Sequence, residues 1–171
     1  MNNFEKREGG EAYEREFLWN NDLKNIDTAQ ALTEEKLKEL GWPEEEADAF
    51  ASGVREAMMN AIVHGNLNVS KRDGEDDFHE RIKAAQEQEK NRAKHVKAYF
   101  RFSKDDATAQ IKDEGNYLPP EDIGDPTDGE RLLQGSGRGL YLIFNGADNV
   151  TFSEGEIVIY KQRKDRENPV V

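Results

Sequence analysis

The stretch Pro43-Glu-Glu-Glu-Ala-Asp-Ala-Phe50-Ala-Ser-Gly-Val54-Arg-Glu56-Ala-Met-Met-Asn60-Ala-Ile-Val-His64-Gly65 reads as one helix with two distinct faces. Proline at the first helical position has no amide hydrogen to leave unpaired, and Glu44, Glu45 and Glu46 face the positive end of the helix dipole. Phe50, Val54, Ala57, Met58 and Ala61 recur at helical spacing and predict the buried face, with Gly65 ending the helix after His64. Glu56, Asn60 and His64 stand four apart, each turned only about 40° from the last, so they share a second face. Small residues flank that face: Gly53, Ala57 and Ala61 lie beside it, so its polar groups are expected to line a cleft. Taken alone, such a row is more often a partly exposed polar stripe, and the rest of the chain must decide.

Working outward from this helix, Phe17, Leu18 and Trp19 form a short strand candidate. Asp27 is the expected N-cap of a helix running to about Leu40, stopped by Gly41. Residues 1–14 are polar, carry a Gly pair and show no apolar period, so they read as a leader. Downstream, Lys71 to Lys94 holds seven acidic and seven basic residues and reads as a local insert. Within it Phe78, Ile82 and Ala85 make a narrow apolar stripe, which predicts a surface helix. Val96 to Phe102 and Thr108 to Lys112 alternate as paired strands around the turn formers Ser103 to Asp106. A long Gly-, Pro- and Asp-rich stretch, Asp113 to Gly137, follows; loops of this length are often functional. After a short helix, strands at Asn149–Ser153 and Glu156–Gln162 flank a Glu154-Gly155 turn, and residues 164–171 form a tail. The expected domain is therefore 15–163. Helices grouped with a mainly antiparallel sheet predict an α+β fold, a two-layer sandwich with helices covering one face of the sheet.

The whole chain of 171 residues has the length of one domain and carries a formal charge of −12, with 35% of its residues charged. That charge repels a phosphate backbone, and no local basic stripe offsets it, so nucleic acid is not an expected partner. No run approaches the roughly 18 apolar residues of a membrane span, and no signal segment follows Met1. The chain contains no cysteine, which removes disulfides and thiolate metal sites and is compatible with a reducing compartment; cytoplasm is the expected location.

Two further clusters bear on chemistry. Asp113-Glu114-Gly115 ends a strand: a carboxylate there can accept a hydrogen bond from an exocyclic amine such as that of adenine, and a glycine lets backbone approach a flat ligand. Asp and Gly are also common turn residues. Gly135-Ser136-Gly137-Arg138-Gly139 leads into Leu140, Tyr141, Leu142 and Ile143. Glycines before a helix leave backbone N–H groups free to surround an anion, with Arg138 available for a charge-assisted contact. The pattern is neither the Walker lysine loop nor the dinucleotide fingerprint. His64, His79 and His95 lack metal-ligand spacing, and the serines have no evident His and Asp partners in the sequence.

In this order, Glu56-Ala-Met-Met-Asn60-Ala61-Ile-Val-His64-Gly65-Asn66, Asp113-Glu114-Gly115 and Gly135-Ser-Gly-Arg-Gly-Leu140 resemble the N box and the two glycine boxes of the Bergerat-fold (GHKL) ATPase and kinase superfamily. The nearest branch resembles the anti-sigma-factor serine kinases, over about Phe17 to Lys161. The resemblance implies ATP and Mg2+ as cofactors, with Glu56 as catalytic base, Asn60 as magnesium ligand and Asp113 as the adenine-reading carboxylate. It implies that Gly115 lets the base lie flat, that the loop up to Gly135 is an ATP lid, and that Gly135, Ser136, Gly137, Arg138 and Gly139 hold the triphosphate. In this branch the phosphate acceptor is a serine or threonine of an anti-sigma factor antagonist, the kinase also sequesters a sigma factor, and members often form homodimers. A sensor histidine kinase is the weaker expectation, since His64 lies inside the first box. One departure stands out: where the family has a second glycine after Asp113-x-Gly115-x, this chain has Tyr117, followed by Leu118. A tyrosine there is expected to strain the loop or fill part of the adenine pocket. It keeps open the alternative of a degenerate binding module that grips its partner without ATP.

Overall fold

The computed structural model describes residues 12–71, 76–119 and 137–164. Among them the chain forms β1 (Ala12–Trp19), α1 (Lys24–Glu39), α2 (Glu44–Met59), a π-helical segment (Asn60–Asn66), α3 (Phe78–Glu87), α4 (Glu89–Arg92), β2 (Val96–Ser103), β3 (Asp106–Lys112), α5 (Gly137–Asn145), β4 (Asn149–Ser153) and β5 (Glu156–Gln162). The five strands make one sheet in the order β1-β2-β3-β5-β4, antiparallel throughout. The molecule is thus α+β, in keeping with a two-layer sandwich.

Strand alternation builds the inner face of the sheet. Val96, Ala98, Phe100 and Phe102 of β2, Ala107, Ala109 and Ile111 of β3, and Ile157 and Ile159 of β5 are all buried. Between them Lys97, Tyr99 and Arg101 lie on the opposite, polar face, where Lys97 pairs with Glu16 at 3.1 Å and Tyr99 Oη donates to Glu14 at 2.9 Å. Helix α2 lays Phe50, Val54, Ala57 and Met58 on the apolar face, all fully buried. Phe50 meets Phe102 edge-on at 6.2 Å between ring centroids. The Trp42 indole, just ahead of α2, donates to Ser103 O at 2.8 Å and ties the helix entry to the end of β2.

Several boundaries differ from the sequence reading. Strand β1 begins at Ala12, so residues 12–14 of the expected leader belong to the sheet: Tyr13 stacks on Phe102 at 5.7 Å, a cross-strand contact that an alternation count over so polar a segment does not reveal. Helix α1 starts at Lys24, ahead of Asp27. Asp22 Oδ1 accepts the Lys24 amide at 2.9 Å, and Asp27 lies in the first turn as a dipole-favoured acid. Pro43 is the N-cap of α2 rather than its first residue. The helix also does not end at Gly65; it widens into π geometry from Asn60 and runs to Asn66, with Leu67 N donating to Ile62 O at 2.9 Å. The insert forms α3 with Ile82 and Ala85 buried, as its stripe predicts, followed by the short α4. No helix of the described residues is long and apolar enough to cross a membrane.

Candidate functional site

Helix α2 and the π-helical segment that continues it carry two of the candidate groups, Glu56 and Asn60. Asn60 lines a pocket shared with Ala57 and Ala61 of the same helical run, Ile111 and Asp113 from the end of β3, Tyr117, and Phe152, Glu156 and Ile157 from the β4–β5 hairpin. Glu56, one turn earlier, is 20% exposed at its side chain and accepts a 3.3 Å contact from Arg55. A Cβ added at Gly139 would stand 2.8 Å from Glu56 Oε2. The missing side chain of the third-box glycine is therefore what lets the first turn of α5 lie against the carboxylate of α2.

The expected glycine loop takes a different form at that point. Gly137, Arg138 and Gly139 are the opening turn of α5 rather than a connection ahead of it, and Arg138 is exposed. The free N–H groups of a first helical turn and its positive dipole end suit an anion as well as a loop does. Gly135 and Ser136, together with most of the expected lid loop, lie outside the described residues.

Asp113 is buried, 5% exposed, where β3 ends. Its Oδ1 accepts the amides of Gly115 at 2.8 Å and Tyr117 at 3.3 Å, and its own amide donates to Gly155 O at 2.7 Å. Burial pushes the carboxyl above its ordinary value, while the amides of Gly115, Tyr117 and Asn116 and the charge of Lys94 pull the other way. A buried carboxylate held by a turn of its own backbone is a fixed acceptor at the pocket wall.

Gly115 has a structural task beyond the expected one. A Cβ there would lie 1.8 Å from Gly65 O, and a Cβ at Gly65 would lie 2.5 Å from Asp113 Cγ. The two glycines let the π-helical segment and the loop after β3 touch backbone to backbone, with the Asp113 carboxyl between them. His64 lies in the π-helical segment; its Nδ1 makes a 2.7 Å contact with Val69 O, and its ring stacks at 5.8 Å on Tyr117, which lines the same pocket as Asn60.

Tyr117 is not strained. The left-handed residue of the turn is Asn116, with φ 61°, and asparagine tolerates that region. The tyrosine instead lines the pocket, whose enclosed space is about 10 Å³, room for about one water. The residue types on the helix side suit magnesium-ATP: Glu56 lies against Gly139 at the start of α5, and Asn60, one turn further along, lines the pocket. On the base side Asp113 suits adenine, and the space beside it is narrow, with Tyr117 in its wall.

A residue that the sequence reading passed over is Asn66, fully buried. Its Oδ1 accepts the Glu114 amide at 2.7 Å, and its Nδ2 donates to Asn21 Oδ1 at 2.8 Å and His95 O at 3.0 Å. It holds the loop after Asp113 in place; in the sequence it stands as the last residue of the first box, with no role attached to it.

No curated protein matches the chain at a significant level. The family model of the histidine kinase-like ATPase domain matches residues 19–161, a span that includes α2, Asp113 and the start of α5, and the chain belongs to that family.

Proposed function

We propose that this ATP-binding domain is a protein serine/threonine kinase of the anti-sigma regulatory type, which transfers the γ-phosphoryl group of ATP to a hydroxyl of an anti-sigma factor antagonist and also sequesters a sigma factor. The observation that carries the kinase reading is the convergence of Asn60 and Asp113 on one pocket, with Glu56 one helical turn away against the start of α5. Bound magnesium-ATP supplies the phosphoryl group and the neutralising charge. Glu56 accepts the proton of the acceptor hydroxyl at its partly exposed side chain. Asn60 holds the metal through its side-chain oxygen, Asp113 orients the base through its buried carboxyl, and the amino end of α5 with Arg138 steadies the phosphates.

Glu56→Gln keeps the shape and the packing against Gly139 but cannot take a proton. Phosphate transfer to the cognate antagonist is expected to fall by roughly 10²- to 10⁴-fold, with ATP affinity little changed, as measured by radiolabel transfer and titration calorimetry. Transfer at the parental rate removes Glu56 from the role of base.

The narrow pocket favours a second reading, a degenerate domain that grips its partner without ATP. It predicts partner binding that is indifferent to magnesium-ATP and no thermal stabilisation of the folded protein by millimolar ATP.

A further inference from the structure

We propose that Tyr117 is the built-in occupant of the base pocket and the residue that sets the affinity for nucleotide: its phenol ring, stacked on His64, stands where a purine must enter to reach Asp113. This rests on the reading of the pocket as a nucleotide site. Three observations point to it. The space enclosed by Asn60, Ile111, Asp113, Tyr117, Phe152 and Ile157 is about 10 Å³, whereas ligand pockets usually measure roughly 300 Å³ or more. The ring has a prepared partner, because His64 is held by Val69 O at 2.7 Å and lies within 29° of the Tyr117 plane at 5.8 Å. Aromatic pairs at that separation favour such offset stacking. The phenol also feels the carboxylate that a base would use, since burial and then the Asp113 charge raise its pKa.

The backbone at this point is pinned on both sides. Tyr117 N donates to Asp113 Oδ1 at 3.3 Å, and Tyr117 O accepts from Gly155 N at 3.0 Å, with the positive φ carried by Asn116. Clearing the pocket therefore requires rotation of one side chain, not rearrangement of the turn. Side-chain rotation is fast on the scale of binding. The ring in its seat subtracts from nucleotide affinity by the fraction of molecules in which the pocket is filled.

Titration calorimetry of Mg-ATP into the parent, Tyr117→Ala and Tyr117→Ser tests this. The two variants are expected to bind roughly tenfold or more tightly than the parent, because their pockets are always open. Equal or weaker binding by folded variants overturns the proposal and leaves the nucleotide site standing. Absence of binding by the folded parent and both folded variants overturns the nucleotide reading itself, and the proposal with it. A second measurement uses only the parent: nitration by tetranitromethane, mapped to Tyr117 by mass spectrometry, with and without saturating Mg-ATP. An expelled ring is nitrated faster when nucleotide binds; a ring that merely walls the site is shielded, and slower nitration overturns the proposal.

Discussion

Asp113 shows at the scale of one residue how a buried carboxyl, the proposed reader of adenine, is held at a cost to stability. Its carboxyl is buried, and the cost of removing a charge from water outweighs the help of three backbone amides and Lys94, so its pKa is raised on folding. A group whose folded pKa lies above its unfolded value adds stability that is fully present below the unfolded pKa and is lost as pH rises through the folded pKa. Asp113→Asn retains an oxygen to accept the Gly115 and Tyr117 amides but carries no charge. The variant is expected to equal or exceed the parent in unfolding free energy at pH 7 and to lose that advantage below the ordinary carboxylate range. Urea denaturation at both pH values checks the sign. The same variant is expected to lose ATP binding, because a fixed carboxylate acceptor is replaced by an amide whose dipole is weaker and whose NH2 end repels an amine donor.

The crossing of α2 and α5 decides the site at the scale of elements. Three glycines let the helices approach: Gly53, where a Cβ would stand 3.3 Å from Ile143 Cα; Gly139, against Glu56; and Gly146, where it would stand 2.3 Å from Ala49 O. Because Glu56 rides on α2 and the Gly137–Gly139 turn on α5, the closeness of this crossing sets the distance between the proposed base and the proposed phosphate site. Gly146→Ala meets backbone, which cannot swing aside as a side chain can. It is expected to lower stability by about 1–3 kcal/mol, with Gly53→Ala costing less, as read from urea midpoints at constant slope. A helix-period pattern in the sequence marked α2 and its apolar face correctly through Met58. It could not show the π widening from Asn60, because local propensity does not select π geometry; within that segment Gly65 fits closely against Asp113 and Gly115.

At the scale of the molecule, the charged insert is joined to the pocket by buried asparagines. Asn91 Nδ2 donates to Ala85 O at 2.9 Å, Asn21 Nδ2 donates to Asn91 O at 2.7 Å, and Asn66 links Asn21 to the Glu114 amide. Lys94 Nζ donates to Asn66 O at 3.0 Å, so the end of the insert and the loop after β3 share one residue. The bonds among Asn91, Asn21 and Asn66 are buried, and those to Glu114 and from Lys94 are partly so. Asn66→Ala leaves the Glu114 amide and Asn21 Oδ1 without their partner and is expected to cost about 1–3 kcal/mol. It also frees the loop that carries Asp113, so the Glu114 amide is expected to exchange its hydrogen faster relative to the β2 amides. Unchanged exchange at Glu114 removes Asn66 as the anchor of that loop.

The α+β class, the buried faces of α2 and of the β2–β3 hairpin, and the three boxes could be read from the sequence by itself, because they depend on short-range periodicity and on residue types whose chemistry is local. Where those groups meet depends on packing between distant segments: Glu56 lies on Gly139, Gly115 serves the contact with Gly65, His64 stacks on Tyr117, and Asn66 ties the insert to the Asp113 loop. These are contacts between residues 48 or more apart in several cases, and their partners are chosen by how closely two backbones approach and how much space remains. Neither quantity is a property of a sequence window.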